Sequence, residues 1–198
     1  MERFIKTLAQ RIKQKNPEAK VYIATHSVMS YNAGNIVSGG AYYANIPEVD
    51  GIIGQCWTDT AKQPIPYKGG SAVKVFESAF VEYSSMVNLT SPTGKEFFAL
   101  ADPKADDGTK TWREYEKWWK QTVAAQLLQK DVKQFELFPW PDRSFAGAPD
   151  SYKTIQLSVF NALEDMFDKG ANLTTPATKG ITVALSDTLS WHYGFGSP

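Results

Sequence analysis

Lys133-Gln134-Phe135-Glu136-Leu137-Phe138-Pro139-Trp140-Pro141-Asp142-Arg143 opens as a strand and ends as a rim. Alternation places Phe135 and Leu137 on one face, and Gln134, Glu136 and Phe138 on the other. Pro139 and Pro141 end the strand, because neither can donate to a sheet ladder. A carboxylate inside so short a strand is costly unless something pairs or uses it. Trp140, Asp142 and Arg143 follow at once and make a ligand-facing rim. The plain alternative is a Glu136 salt-bridged to its neighbour strand, under a Pro-Trp plug.

Upstream of this stretch, strands alternate with helices. Residues 2–15 form a helix with Phe4, Ile5, Leu8, Ala9 and Ile12 on one face. Val21-Tyr22-Ile23-Ala24 forms a first strand, running into His26 and Ser27. Residues 35–43 could hold a short helix, against Gly34, Gly39 and Gly40. Gly51 to Trp57 is a second strand. Thr58 to Gly70 is expected to be a loop, and Ser71 to cap a helix with Val73, Phe76, Phe80, Tyr83 and Val87 as its stripe. Lys95 to Ala101 is a third strand. Thr111 caps a helix to about Gln129, with Trp112, Tyr115, Trp119, Val123 and Leu127 inward. The Glu136 strand comes next, then a helix over 150–168 with Tyr152, Ile155, Val159, Phe160, Leu163 and Phe167 inward. Gly180 to Leu185 is a fifth strand.

This alternation implies an α/β fold with a parallel sheet and right-handed crossovers. Two architectures satisfy it: a partial (β/α)8 barrel and an open flavodoxin-like sheet. Central strands of an open parallel sheet are apolar on both faces. Here Gln55, Gln134 and Glu136 give two strands a polar face, which suits a barrel mouth. A full barrel needs eight units in about 250 residues; four precede the linker. Residues 1–169 therefore read as a partial barrel, 170–179 as a linker, and 180–198 as a trailing strand that starts a second α/β domain.

Composition narrows the function. The chain has 198 residues, 42% apolar and 21% charged, with no formal net charge, so no nucleic-acid or anionic-membrane partner is expected. Cys56 is the one cysteine, which excludes an internal disulfide and a Cys-based zinc site. No signal core and no run of about 18 apolar residues occurs, so no membrane association and a cytoplasmic setting are expected. No phosphate-binding glycine loop or EF-hand spacing is found, so no cofactor and no metal are expected. Aromatics at 13% suit either a very aromatic core or a sugar-stacking surface.

Gly94-Lys95-Glu96-Phe97-Phe98-Ala99-Leu100-Ala101-Asp102, a long helix, then Phe135-Glu136-Leu137-Phe138-Pro139-Trp140 resembles strands seven and eight of clan-A glycoside hydrolase barrels, such as the family 42 β-galactosidases. The strand at 180–191 resembles the start of the glutamine-amidotransferase-like domain that follows such barrels. The resemblance implies carbohydrate binding or hydrolysis. It places the nucleophile where this chain has Asp102, with Glu136 one strand later. The family's acid/base Glu lies on strand four, which this chain lacks, so the chain by itself is expected to be inactive.

Glycoside hydrolysis takes two carboxyls, about 5–5.5 Å apart for retention and about 6.5–9.5 Å for inversion. Asp102 and Glu136 at the mouths of adjacent strands could supply them; the plain alternative for Asp102 is a turn cap before Pro103. His26, Gln55, Trp57, Asp59, Trp140 and Arg143 are the candidate substrate contacts, all at strand C-terminal ends or just beyond. Core packing is the competing role for both Trp residues and for His26. Three states stay open: a barrel segment missing its N-terminal half, a self-contained small-ligand module, and a half-barrel that forms a homodimer.

Overall fold

The computed structural model describes residues 2–27, 43–56, 62, 64–102, 104, 108, 110–129, 132–137, 140–168 and 180. The proposed linker, the trailing strand, and Trp57, Asp59 and Phe138 lie outside these residues, as does the side chain of Arg143.

Four parallel strands form the main sheet: β1 (Tyr22–His26), β2 (Gly51–Cys56), β5 (Glu96–Ala101) and β6 (Gln134–Glu136). They lie side by side in chain order. A flavodoxin-like sheet instead places its first strand between the second and third. The helices are α1 (Glu2–Lys15), α2 (Val75–Thr90), α3 (Trp112–Leu127), the short α4 (Pro141–Phe145) and α5 (Asp150–Asp168).

One face of the sheet carries the core. Ile52 and Cys56 of β2, and Phe97, Ala99 and Ala101 of β5, are buried on this face, with Ala79, Tyr83 and Met86 of α2 against them. Gly54 is on the same face, and the Phe97 ring occupies the place of its missing side chain. A Cβ there would stand 2.4 Å from the ring. A second cluster joins Ala101, Trp119, Leu137 and Leu163 and fixes α3 and α5 to the β5–β6 side. Tyr152 of α5 lies against Trp112 and Trp119. These rings serve as helix-to-helix packing. Thr111 caps α3 with a reciprocal capping box to Glu114, as its position before the helix predicts.

The opposite face is only partly covered. Tyr22, Ile53 and Phe98 are half-buried there, and Ala24 is exposed.

Three expectations are corrected. Residues 64–73 are not loop: β3 (Pro64–Tyr67) and β4 (Gly70–Val73) form an antiparallel hairpin. Its two-residue turn, Lys68-Gly69, has positive φ at both positions, which matches the twist of a tight hairpin. Ser71 accordingly sits in β4, Val73 is exposed, and α2 begins after Lys74. The apolar stripes are also narrower than expected. Phe4 and Leu8 of α1 and Phe160 of α5 face outward, while Ala9, Tyr152 and Leu163 are buried.

The N-terminal ends of the strands are locked by charge. Asp50 accepts from Lys13 Nζ and from the Val21 N–H, each at 2.7 Å. Lys95 donates to the carbonyls of Ile46, at 2.6 Å, and Val49. Tyr22 donates its hydroxyl to Glu96. That bond, with burial and the carboxylate's charge behind it, pushes the phenol up to about 12. No described helix is long and apolar enough to cross a membrane.

Candidate functional site

Strand register builds the candidate site. His26 lies beside Gln55, Gln55 beside Leu100, and Leu100 beside Glu136. Four side chains thus form one row across four strands, on the face turned away from α2. Asp102 belongs to the same face, two residues beyond Leu100. It is 1% exposed, immediately after the end of β5.

Gln55 donates from Nε2 to Asp102 Oδ2 at 3.3 Å, and the Lys104 N–H donates to Oδ1 at 3.3 Å. The second bond is the turn-cap role considered from sequence, so Asp102 caps its turn and faces Gln55 together. Glu136 is half-buried, and burial raises its carboxyl above the ordinary range. His26 is half-buried as well, and desolvation lowers its imidazole. One strand spacing combined with a two-residue offset puts the Cα positions of Asp102 and Glu136 about 8 Å apart.

The register therefore brings His26, Gln55, Asp102 and Glu136 together. Trp140 is 37% exposed and stands at the N-terminal cap of α4, which also contains Arg143. Trp57 and Asp59 lie outside the described residues.

A further carboxylate sits behind the row. Glu82, in the middle of α2, is fully buried and accepts from Ser27 Oγ at 2.7 Å. Ser27 follows His26, and Cys56 follows Gln55, so Glu82 serves the ends of both strands from behind. Burial pushes the Cys56 thiol well up, and the Glu82 and Asp102 carboxyls add to the shift. Next to Glu82, Tyr83 donates to the Leu100 carbonyl at 2.6 Å and accepts from Gln126 Nε2 at 2.9 Å. Sequence reading passed over Glu82 because Phe80, Tyr83 and Val87 dominate its helix. The available signal was its position one residue before Tyr83, on the edge of that apolar stripe.

Among the described residues, no group of three His, Cys, Asp or Glu side chains is placed to hold a metal ion. A cleft of about 490 Å³, lined in part by Lys95, Glu96 and Lys133, opens at the opposite, N-terminal end of β5 and β6. Active sites of parallel β/α folds gather at strand C-terminal ends, so the polar row is the better candidate. No protein-family model, curated protein or solved structure matches the chain.

Proposed function

We propose that the four strand–helix units are half of a (β/α)8-type barrel of glycoside-hydrolase character, and that the strand-end row binds carbohydrate. The observation that carries this reading is the buried Asp102, turned toward Gln55, with Glu136 one strand over on the same face. Supporting it are the chain-order arrangement of parallel strands and the partly covered face that would line a barrel interior.

In this reading His26 and Glu136, the half-buried members of the row, meet the sugar, and the buried Gln55–Asp102 pair sets the charge and shape of the crevice behind them. The Cα separation of about 8 Å leaves both carboxyls on one face and within reach of a single bound sugar. Burial raises the Glu136 carboxyl and so favours its protonated form, which can donate a hydrogen bond to a sugar oxygen. The activity proposed for the chain by itself is binding, without cleavage.

Amide chemical-shift titration with galactose, lactose and cellobiose tests this. The expected result is weak binding, with shifts at Gln55, Leu100 and Asp102, reduced about tenfold by Asp102→Asn through loss of a charged hydrogen-bond acceptor. No shift at these positions with any of the three sugars would sink the reading. Turnover of an aryl β-galactoside by the chain alone would contradict the binding-only assignment.

A further inference from the structure

Helix α1 is held in place by polar clamps as well as by packing. Gln10 donates from Nε2 to Glu48 at 2.9 Å, and Lys13 Nζ donates to Asp50 at 2.7 Å. Ala9 is buried, and Ile5 packs against the same core. These contacts fix which side of the helix faces outward. Phe4, Leu8, Arg11 and Lys15 recur at helical spacing and share that side as one exposed stripe. Phe4 is 64% exposed and Leu8 45%. No other large apolar side chain among the described residues is as exposed as Phe4.

The same surface is basic. Helix α1 holds Arg3, Lys6, Arg11, Lys13 and Lys15 against the single Glu2, a net of +4. After Glu2 it contains no acidic residue. Lys13 is committed to Asp50, but Arg3, Lys6, Arg11 and Lys15 are exposed. Among the described residues, Arg3, Arg11 and Lys15 have no ion-pair partner. The whole chain is neutral, so the rest of it carries −4. Zero net charge argues against an anionic partner for the chain as a whole, but it conceals this concentration of cations on one helix.

We propose that the outer side of α1 lies against an anionic lipid surface. Phe4 and Leu8 enter the boundary between headgroups and acyl chains, and Arg3, Lys6, Arg11 and Lys15 meet the headgroup anions around them. Interfacial helices join the same two features, an apolar wedge and a basic rim. Each cation near such a surface strengthens binding about fivefold. A nucleic acid offers charge without an apolar phase, so it would leave Phe4 and Leu8 in water. An acidic protein would need carboxylates matched to four cations spread along about 18 Å of helix, whereas a lipid surface supplies anions at any position. Contact of this kind takes no membrane-spanning helix, and α1 is too short and too charged to be one. The strand-end site plays no part in it.

The test is co-sedimentation of the full chain with vesicles of phosphatidylcholine alone and of equal parts phosphatidylcholine and phosphatidylserine. Binding to the mixed vesicles should be tighter by about tenfold or more. Salt should release the chain, because the contact is partly electrostatic. Arg11→Gln with Lys15→Gln should weaken that binding about twentyfold. Phe4→Ser with Leu8→Ser should weaken it about tenfold, through loss of apolar burial. All four side chains are exposed, so circular dichroism should report an unchanged fold for both variants. Equal binding to the two kinds of vesicle, or none to either, overturns the proposal. So does binding that the charge variant loses and the Phe4/Leu8 variant keeps in full, which would mark a surface for an acidic protein or a nucleic acid.

Discussion

Ser27 Oγ donates to Glu82 Oε2 at 2.7 Å, across 55 positions of sequence, where neither side chain has more than 1% exposure. The bond fastens the end of β1 to the middle of α2. It sits one residue from His26 and therefore fixes where the first strand's contribution to the polar row emerges. A buried carboxylate is tolerated only with such partners, and removing one partner leaves the other unsatisfied at full desolvation cost.

Glu82→Ala is accordingly expected to destabilise the fold by about 2–4 kcal/mol, from a cavity plus an orphaned hydroxyl. Glu82→Gln keeps the shape and an acceptor oxygen and should cost less than half as much. Urea denaturation of both variants gives the comparison. Equal losses would show that the carboxylate's charge and its hydrogen bond, and not the cavity, dominate.

Gly54→Ala should be costly even though alanine favours ordered backbone over glycine. Its Cβ would stand 2.4 Å from Phe97 and 3.0 Å from Met86 Sδ. Forcing these groups apart in a packed core costs about 1–3 kcal/mol. Phe97→Leu in the same chain should recover part of the loss, read as a higher Tm for the double variant than for Gly54→Ala alone.

Stability should fall in acid through Asp50. Burial opposes ionisation there, but Lys13, the Val21 N–H and Lys20 outweigh it and hold the carboxyl below its usual range. A carboxyl with a lowered folded pKa contributes stability that is present above the unfolded pKa and is lost as pH falls through the folded one. Asp50→Asn should cost about 2 kcal/mol at neutral pH, as loss of a charged hydrogen-bond acceptor. Its stability should also depend less on pH below about 4 than that of the parent chain, because the titrating group is gone. Parallel acid profiles for the two proteins would remove Asp50 from the explanation.

The main framework was legible because period and punctuation agreed. Alternation put Phe135 and Leu137 on one face of their strand, and both side chains lie in the core clusters. Thr111 marked the start of α3, and the structure adds Glu114 as the other half of its capping box. The hairpin over 64–73 was hidden by its own residues. Pro64 and Pro66 are poor strand formers, and Lys68-Gly69 signals a tight turn only once both flanks are taken as strands. The outward positions of Phe4 and Leu8 were missed because a helical stripe gives a direction, not a width.

Candidate contacts were legible only as strand ends. Parallel polarity gathers such residues on one side of a sheet, and register then selects among them. His26, Gln55 and Glu136 share a row through pairings set by the relative stagger of four strands, which no single strand encodes. The role of Glu82, though not its place beside the apolar stripe, was hidden for a related reason. Its role depends on how α2 is rotated over β1 and β2, a tertiary quantity.

Cys56 gives the protein a clock of its own. It is the single thiol of the chain, it has no exposed surface, and its ionisation is suppressed by burial and neighbouring carboxyls. A thiol reagent can modify it only while β2 and α2 are parted, so the rate of modification reports how often that happens. Because Cys56 adjoins Gln55, slower labelling in the presence of a sugar would register occupancy of the crevice as protection of the core behind it.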